Sequence, residues 1–132
     1  MIMLRPDRVT FGSAAWPGVE RLAVDRVGTR VVRAWTEGGP FPTFADVTEQ
    51  TVRVRVVQSL DQTDLNAPAP GDRALLRAEL SRGGDERRRL LRVDAVVESV
   101  THEIGPRAAT RTVTLTAVSD DADEDPVVLT AL

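Results

Sequence analysis

Cysteine is absent from this chain of 132 residues, which excludes both a disulfide framework and a thiolate metal site. Lysine is absent too, and all 17 basic residues are Arg. A GC-rich genome accounts for that bias; selection for the bidentate contacts that Arg makes and Lys does not is the alternative. There is one His, His102, which excludes most imidazole metal sites. Aromatic residues make up only 4%, and Phe11, Trp16, Trp35, Phe41 and Phe44 all lie in the first third. The later core must therefore be aliphatic, and a stacking platform for sugars or bases is not expected. No apolar run approaches the ~20 residues of a membrane span. The start, Met1 to Pro6, is interrupted too early for a signal peptide, so a soluble protein made in the cytoplasm and no membrane partner are expected. A net charge of −3 argues against tight binding of duplex DNA.

What the chain does have is alternation. Thr51-Val52-Arg53-Val54-Arg55-Val56 and Thr110-Arg111-Thr112-Val113-Thr114-Leu115-Thr116-Ala117 place apolar side chains on one face and polar ones on the other. A period of two is that of a half-buried antiparallel strand. The fold class expected is all-β, an antiparallel β-sandwich or barrel with at most one short helix. By size the chain is a single domain, 1–132, with a long loop at 61–72 and a short tail at 126–132.

Along the chain, Arg8–Phe11 reads as a first strand and Gly12–Gly18 as a turn. Val19–Val27 and Thr29–Trp35 read as a hairpin turning at Gly28, with Phe41–Val47 a short edge strand behind Pro42. Thr48–Leu60 is the clearest strand. The stretch 61–72 holds Asn66-Ala67-Pro68-Ala69-Pro70-Gly71, a loop by composition. Arg73–Leu80 has two readings: a helix capped by Asp72, or a strand paired with Arg89–Val97 across Gly83-Gly84; the strand suits its neighbours better. The doubled Val96-Val97 interrupts the alternation of Leu90–Ile104 and predicts a β-bulge. Ala109–Ser119 is the last full strand. The apolar tail Val127-Val128-Leu129 either caps its own core or adds to a neighbour.

Signals for chemistry are sparse. His102 beside Glu103 has the residue types of a general base, but adjacent strand residues diverge to opposite faces. A hydrolase built on His102 is the enzymatic alternative, and a β-sandwich module binding a ligand or protein is another. Asp120, Asp121, Asp123, Glu124 and Asp125 form an acidic run without the Gly register of a Ca²⁺ loop, so no cofactor and no metal are expected. Arg82 to Arg92 holds five Arg, including Arg87, Arg88 and Arg89. A basic run and an acidic run on opposite sides of one molecule favour head-to-tail contact between copies.

Three segments resemble the tail-tube proteins of tailed bacteriophages and related contractile systems. Pro70-Gly71-Asp72-Arg73-Ala74-Leu75-Leu76 is similar to the turn that leads into a strand in those proteins. Val100-Thr101-His102-Glu103-Ile104-Gly105, followed by Thr112 to Ser119, resembles their late hairpin. Ser119-Asp120-Asp121-Ala122-Asp123-Glu124-Asp125-Pro126-Val127 resembles their close, with Ala122 where Gly is usual. The resemblance covers Thr51 to Val128.

The resemblance implies a non-enzymatic virion protein, made in the host cytoplasm, whose copies form hexameric rings. Those rings stack into a conduit for DNA. A tail terminator, neck or baseplate ring shares the same class. Expected partners are further copies of the chain, other tail proteins such as sheath, terminator or baseplate, and DNA passing through without tight binding. Candidate interface residues are Asp64, Leu65, Asn66, Pro68 and Pro70 in the long loop, with Arg87, Arg88 and Arg89 meeting Asp120, Asp121, Asp123, Glu124 and Asp125. The candidate lining of the channel is Thr110, Thr112, Thr114 and Thr116, a polar row that does not hold phosphates.

Overall fold

Inward-facing valine and leucine from nearly every strand meet in one core, and that core sets the architecture. A computed structural model describes residues 4–60, 68–82, 88–121 and 124–131. Its elements are β1 (Leu4–Phe11), β2 (Ala14–Ala15), β3 (Val19–Ala34), β4 (Phe44–Leu60), β5 (Arg73–Arg82), β6 (Arg88–Ile104), β7 (Ala109–Ala117) and β8 (Val127–Ala131). Every pairing is antiparallel, in the order β2-β1-β5-β6-β7-β4-β3, with β8 beside the first half of β6. Among the described residues there is no helix, and so none long and apolar enough to cross a membrane. The all-β antiparallel class read from the alternation is the class observed.

The two alternating segments pair as their faces demand. Val54 lies opposite Leu115 and Val56 opposite Val113, all four fully buried. Leu76, Ala78, Val93, Ala95 and Val97 extend the same cluster, closed at one end by Val9, Phe11 and Trp16. Each fully buried Val or Leu contributes roughly 1.5–3 kcal/mol relative to exposure. The far ends of the sheet are drawn together, although it is not a closed barrel. Trp16 N–H donates to Val9 O at 2.8 Å and Ser59 N–H to Gly18 O at 2.9 Å. Gly18 has φ +72°, and a Cβ there would stand 2.7 Å from Ser59 O, so only glycine suits this turn.

Several expected boundaries are corrected. The first strand begins at Leu4 rather than Arg8. No chain reversal occurs at Gly28: β3 runs through it, paired with Gln50, and a Cβ there would sit 2.9 Å from Val47 Cγ1. Glycine at this position admits a close side chain instead of a turn. The edge strand expected at Phe41–Val47 is the beginning of β4, which starts at Phe44, just past Pro42. Arg73–Arg82 is a strand, with Arg73 opposite Val96. The bulge expected at Val96-Val97 falls one residue later, at Glu98, between Val97 and Ser99. The tail forms β8 against its own chain, with Val127 packed on the core and Val128 and Leu129 exposed. The Gly83-Gly84 turn lies outside the described residues.

Candidate assembly surface

β3 and β4 are much longer than the sheet they belong to. The last pairing of β4 with β7 is Arg53 with Thr116, while β3 and β4 stay paired out to Ala34 and Phe44. From Val27 to Ala34 the eight residues of β3 and their partners form a two-stranded arm of about 25 Å at ~3.3 Å per residue. From Asp25 to Gln50 every residue is exposed. An isolated hairpin is at best marginally stable in water.

The arm carries exposed apolar residues on both faces, interspersed with charged ones such as Arg30 opposite Glu49 and Arg33 opposite Ala45. Val31 lies opposite Val47, and one step on Val32 lies opposite Asp46 and Ala34 opposite Phe44. Opposed residues share a face and successive ones alternate, so Val31 and Val47 mark one face and Val32, Ala34 and Phe44 the other. Thr29 and Thr48 are each left unpaired, so the two strands carry compensating bulges that restore the register. At the tip the exposures are Trp35 56%, Phe41 80% and Phe44 56%. Trp35 Nε1–H donates to Pro40 O at 3.2 Å, which folds the tip over. The largest exposed apolar side chains of the described residues thus gather at the tip of the arm.

At its root the arm is tied to the acidic run. Arg26 Nη2 donates to Asp125 Oδ2 at 2.9 Å, and Val127 N–H donates to the other carboxylate oxygen at 3.0 Å. That backbone hydrogen bond first, and Arg26 second, hold the Asp125 carboxyl below its ordinary range. Between the arm and this loop is a recess of about 600 Å³ lined by Gln50, Val52, Ala117 and Pro126 among others. Nearby, Arg73 Nη2 donates to Asp94 at 2.8 Å and stands 3.7 Å from Asp120. The Arg73 hydrogen bond lowers the Asp94 carboxyl, and the same bond raises the guanidinium.

A second recess, of about 490 Å³, lies at the other end of β3, where Pro6, Val9, Thr10, Ala15, Trp16 and Val19 contribute to its lining. Asp7 and Arg8 line it as well, one charge of each sign. Arg8 sits in a β1 bulge between Asp7 and Thr10 with φ +47°, a left-handed conformation that costs roughly 1–2 kcal/mol in a residue other than glycine. Its side chain is 74% exposed, with Glu79 only at 3.8 Å. The Trp16 indole stacks on Phe11 at 5.1 Å between centroids and carries the Arg111 guanidinium 5.4 Å from its ring centre. Arg111, buried, donates to Gln58 Oε1, and Gln58 Nε2 donates to Pro17 O at 2.7 Å. Gln58, Arg111 and His102 occupy one row across β4, β7 and β6, and this polar row fixes the wall on which Trp16 stands.

The expected site residues fall into four groups. Asp64, Leu65, Asn66, Arg87 and Asp123 lie outside the described residues, as does the side chain of Arg88. Pro68 is buried and Pro70 exposed, in a turn tied to the chain's own β6 by Gly71 N–H to Val97 O and Val97 N–H to Asp72 O, each 2.8 Å. Pro68 is thereby removed from any outer surface. Arg89 is exposed opposite Ala131, and the acidic run enters β8 at its other end, opposite Val93. Of the two charged runs, the described residues Arg89 and Asp125 are thus separated by the length of β8. Asp120, Asp121, Glu124 and Asp125 are all exposed, with Asp125 engaged by Arg26. Among the described residues no three acidic or His side chains converge as a metal site requires.

Thr110, Thr112, Thr114 and Thr116 form a half-buried row on the face opposite the core, since Arg111, Val113 and Leu115 between them are buried. Arg55 lies opposite Thr114, and Arg53 opposite Thr116 with Glu98 at 3.5 Å. His102 and Glu103 diverge as the strand geometry requires, His102 opposite buried Arg111 and Glu103 opposite Thr110. Sequence reasoning read extended segments at Thr29–Trp35 and Phe41–Val47, but with the turn placed at Gly28 it missed that the two pair with each other as one arm. Its available signal was apolar residues flanking Gly38-Gly39-Pro40 on both sides without a single polar face.

No protein-family model matches the chain, and no curated protein matches it.

Proposed function

We propose that this chain is a self-assembling structural subunit, and that the assembly is a ring or stacked tube of the phage-tail kind. The observation that carries this reading is the arm. Its apolar side chains lie on both faces, beyond the reach of the chain's own core. A hairpin of that composition is stabilised when a neighbour encloses it. The threonine row supports a conduit role, because the charges around it are of both signs, Arg53 and Arg55 on β4 with Asp25 opposite Arg53 and Glu98 and Glu103 on β6, rather than a run of Arg that would hold phosphates. The similarity of Pro70–Leu76, Val100–Ser119 and Ser119–Val127 to tail-tube segments points the same way. A terminator, neck or baseplate ring would use the same features.

Negative-stain electron microscopy of the concentrated protein tests this. Rings with a central channel, or tubes built from them, are expected. Fields of single small particles at every concentration would remove the proposal.

A further inference from the structure

We infer that two copies of this chain pair β3 to β3 along its outer edge, about a two-fold axis at Ala23. The contact rests on the self-association proposed above and names one surface through which copies meet. The sheet ends at β3, because it does not close as a barrel. Past the groove, whose lining stops at Val19, no strand among the described residues pairs with that outer edge. An unpaired edge presents a row of backbone N–H and C=O groups, a template for another strand. The sequence of β3 selects a second β3 as that strand.

Val19-Glu20-Arg21-Leu22-Ala23-Val24-Asp25-Arg26-Val27 is complementary to its own reverse. With Ala23 opposite Ala23 in an antiparallel ladder, Arg21 meets Asp25, Leu22 meets Val24 and Glu20 meets Arg26, each pair occurring twice. β3 bulges at Glu20, which ends the regular ladder there. Faces agree as well as charges. Leu22 and Val24 lie opposite Val56 and Val54 on the core side, whereas Arg21, Ala23 and Asp25 lie opposite Val57, Arg55 and Arg53 on the other. A two-fold axis perpendicular to the sheet keeps each residue on its own side. Leu22 and Val24, half-buried in one copy, gain apolar cross-strand neighbours. Arg21 is exposed and in no ion pair among the described residues. Beside the partner's Asp25 it extends a row that already alternates in sign, with Asp25 opposite Arg53 and Arg53 3.5 Å from Glu98. Moving the axis one residue either way sets Arg21 and Asp25 each against Val or Ala, so the pattern specifies one register. A two-fold contact joins copies in pairs and goes no further. The arm, which lies outside the matched residues, is left for the second contact that a ring or tube needs.

Introduced thiols test this, since the chain has no cysteine. Opposed Cα atoms of an antiparallel pair stand about 4.5–5.5 Å apart, inside the range a disulfide spans. Ala23→Cys should therefore link to itself as a covalent dimer in dilute protein under mild oxidant. Val27→Cys, about 26 Å from its own counterpart at ~3.3 Å per residue, should not. Charge reversal is the second measurement. Arg21→Asp should weaken pairing about tenfold, because the two-fold repeats the fault at two places, and adding Asp25→Arg to the same chain should restore it. Within one chain these residues are four apart along a strand, about 13 Å, so restoration comes only from a second copy. Asp25→Arg also stands against Arg53 of its own chain, so urea midpoints are read beside the association constants. Equal linking at both thiol positions, no link at Ala23→Cys in protein that still assembles, or an Arg21→Asp protein that pairs like the unaltered one overturns the β3 contact and leaves self-assembly standing. A dimer linked through Ala23→Cys in protein that forms no rings keeps the contact and removes the ring. Unaltered protein that stays monomeric at every concentration overturns both.

Discussion

Arg26 and Asp125 are 99 positions apart in sequence, yet Arg26 Nη2 stands 2.9 Å from Asp125 Oδ2. The pair ties the root of the arm to the loop entering β8. Both side chains are about half exposed, so the pair itself contributes little, about 0–1 kcal/mol. Asp125→Asn is therefore expected to leave global unfolding nearly unchanged. Faster hydrogen exchange at Val127 and around Arg26 is the signature to look for, and unchanged exchange there would show that the tie does not restrain the arm.

Acid should loosen the same region. The carboxyls of Asp125 and Asp94 are held below their ordinary range in the folded chain, chiefly by the Val127 N–H and by Arg73 respectively. A carboxyl depressed on folding stabilises the native state above its unfolded value, and that stabilisation is lost as pH falls through the folded value. Stability should be flat near neutrality, begin to decline as pH enters the ordinary carboxylate range, where the unfolded chain protonates first, and go on falling below it. The decline should shrink in the Asp125→Asn and Asp94→Asn variants, as denaturant titrations at several pH values would reveal.

Gly18→Ala should be among the more damaging single changes. It forces a side chain onto φ +72° and brings Cβ to 2.7 Å from Ser59 O. The conformational cost alone is about 1–2 kcal/mol, and the clash with backbone adds to it. A lower urea midpoint with unchanged slope is expected. Gly28→Ala has only the Val47 side chain to displace and lies in the exposed arm, so its effect on the midpoint should be smaller.

Much of the sheet was legible, because its core strands obey one period. Val52, Val54 and Val56 against Val113 and Leu115 identified β4 and β7 and the faces they bury. The arm was not legible for physical reasons. Thr29 and Thr48 bulge, Val31-Val32 is doubled, and Gly28 resembles a turn, so no single period runs through it. An element that lacks an inner face within its own chain leaves no alternation to read. The row of Gln58, Arg111 and His102 was hidden too, since a buried Arg in an alternating segment is indistinguishable from a wet one until its neighbours across the sheet are known.

Because the chain has no cysteine, single introduced thiols can report on each surface. Thr112→Cys should remain reactive toward a small maleimide in the assembled particle if the threonine row faces a channel. Val31→Cys on the arm should react in dilute monomer and become protected on assembly. Equal protection of both positions would place the threonine row in a contact instead of a lumen.

The two tryptophans separate fold from assembly in one spectrum. Trp16 is buried against Phe11 and Arg111, whereas Trp35 is 56% exposed at the arm tip. In a Trp16→Phe background the Trp35 emission should be strongly quenched by acrylamide in dilute protein and shielded in concentrated protein. Quenching that is independent of concentration would mean that the tip meets nothing.

Sedimentation velocity across a wide concentration range is the most direct measurement, run on the unaltered chain beside a variant with Trp35, Phe41 and Phe44 all changed to Ser. The unaltered chain should shift from 14.4 kDa to large multiples of that mass, while the arm variant keeps its fold and stays at the monomer mass. A single monomer boundary for both proteins at every concentration would contradict an arm made to meet another copy of the same chain.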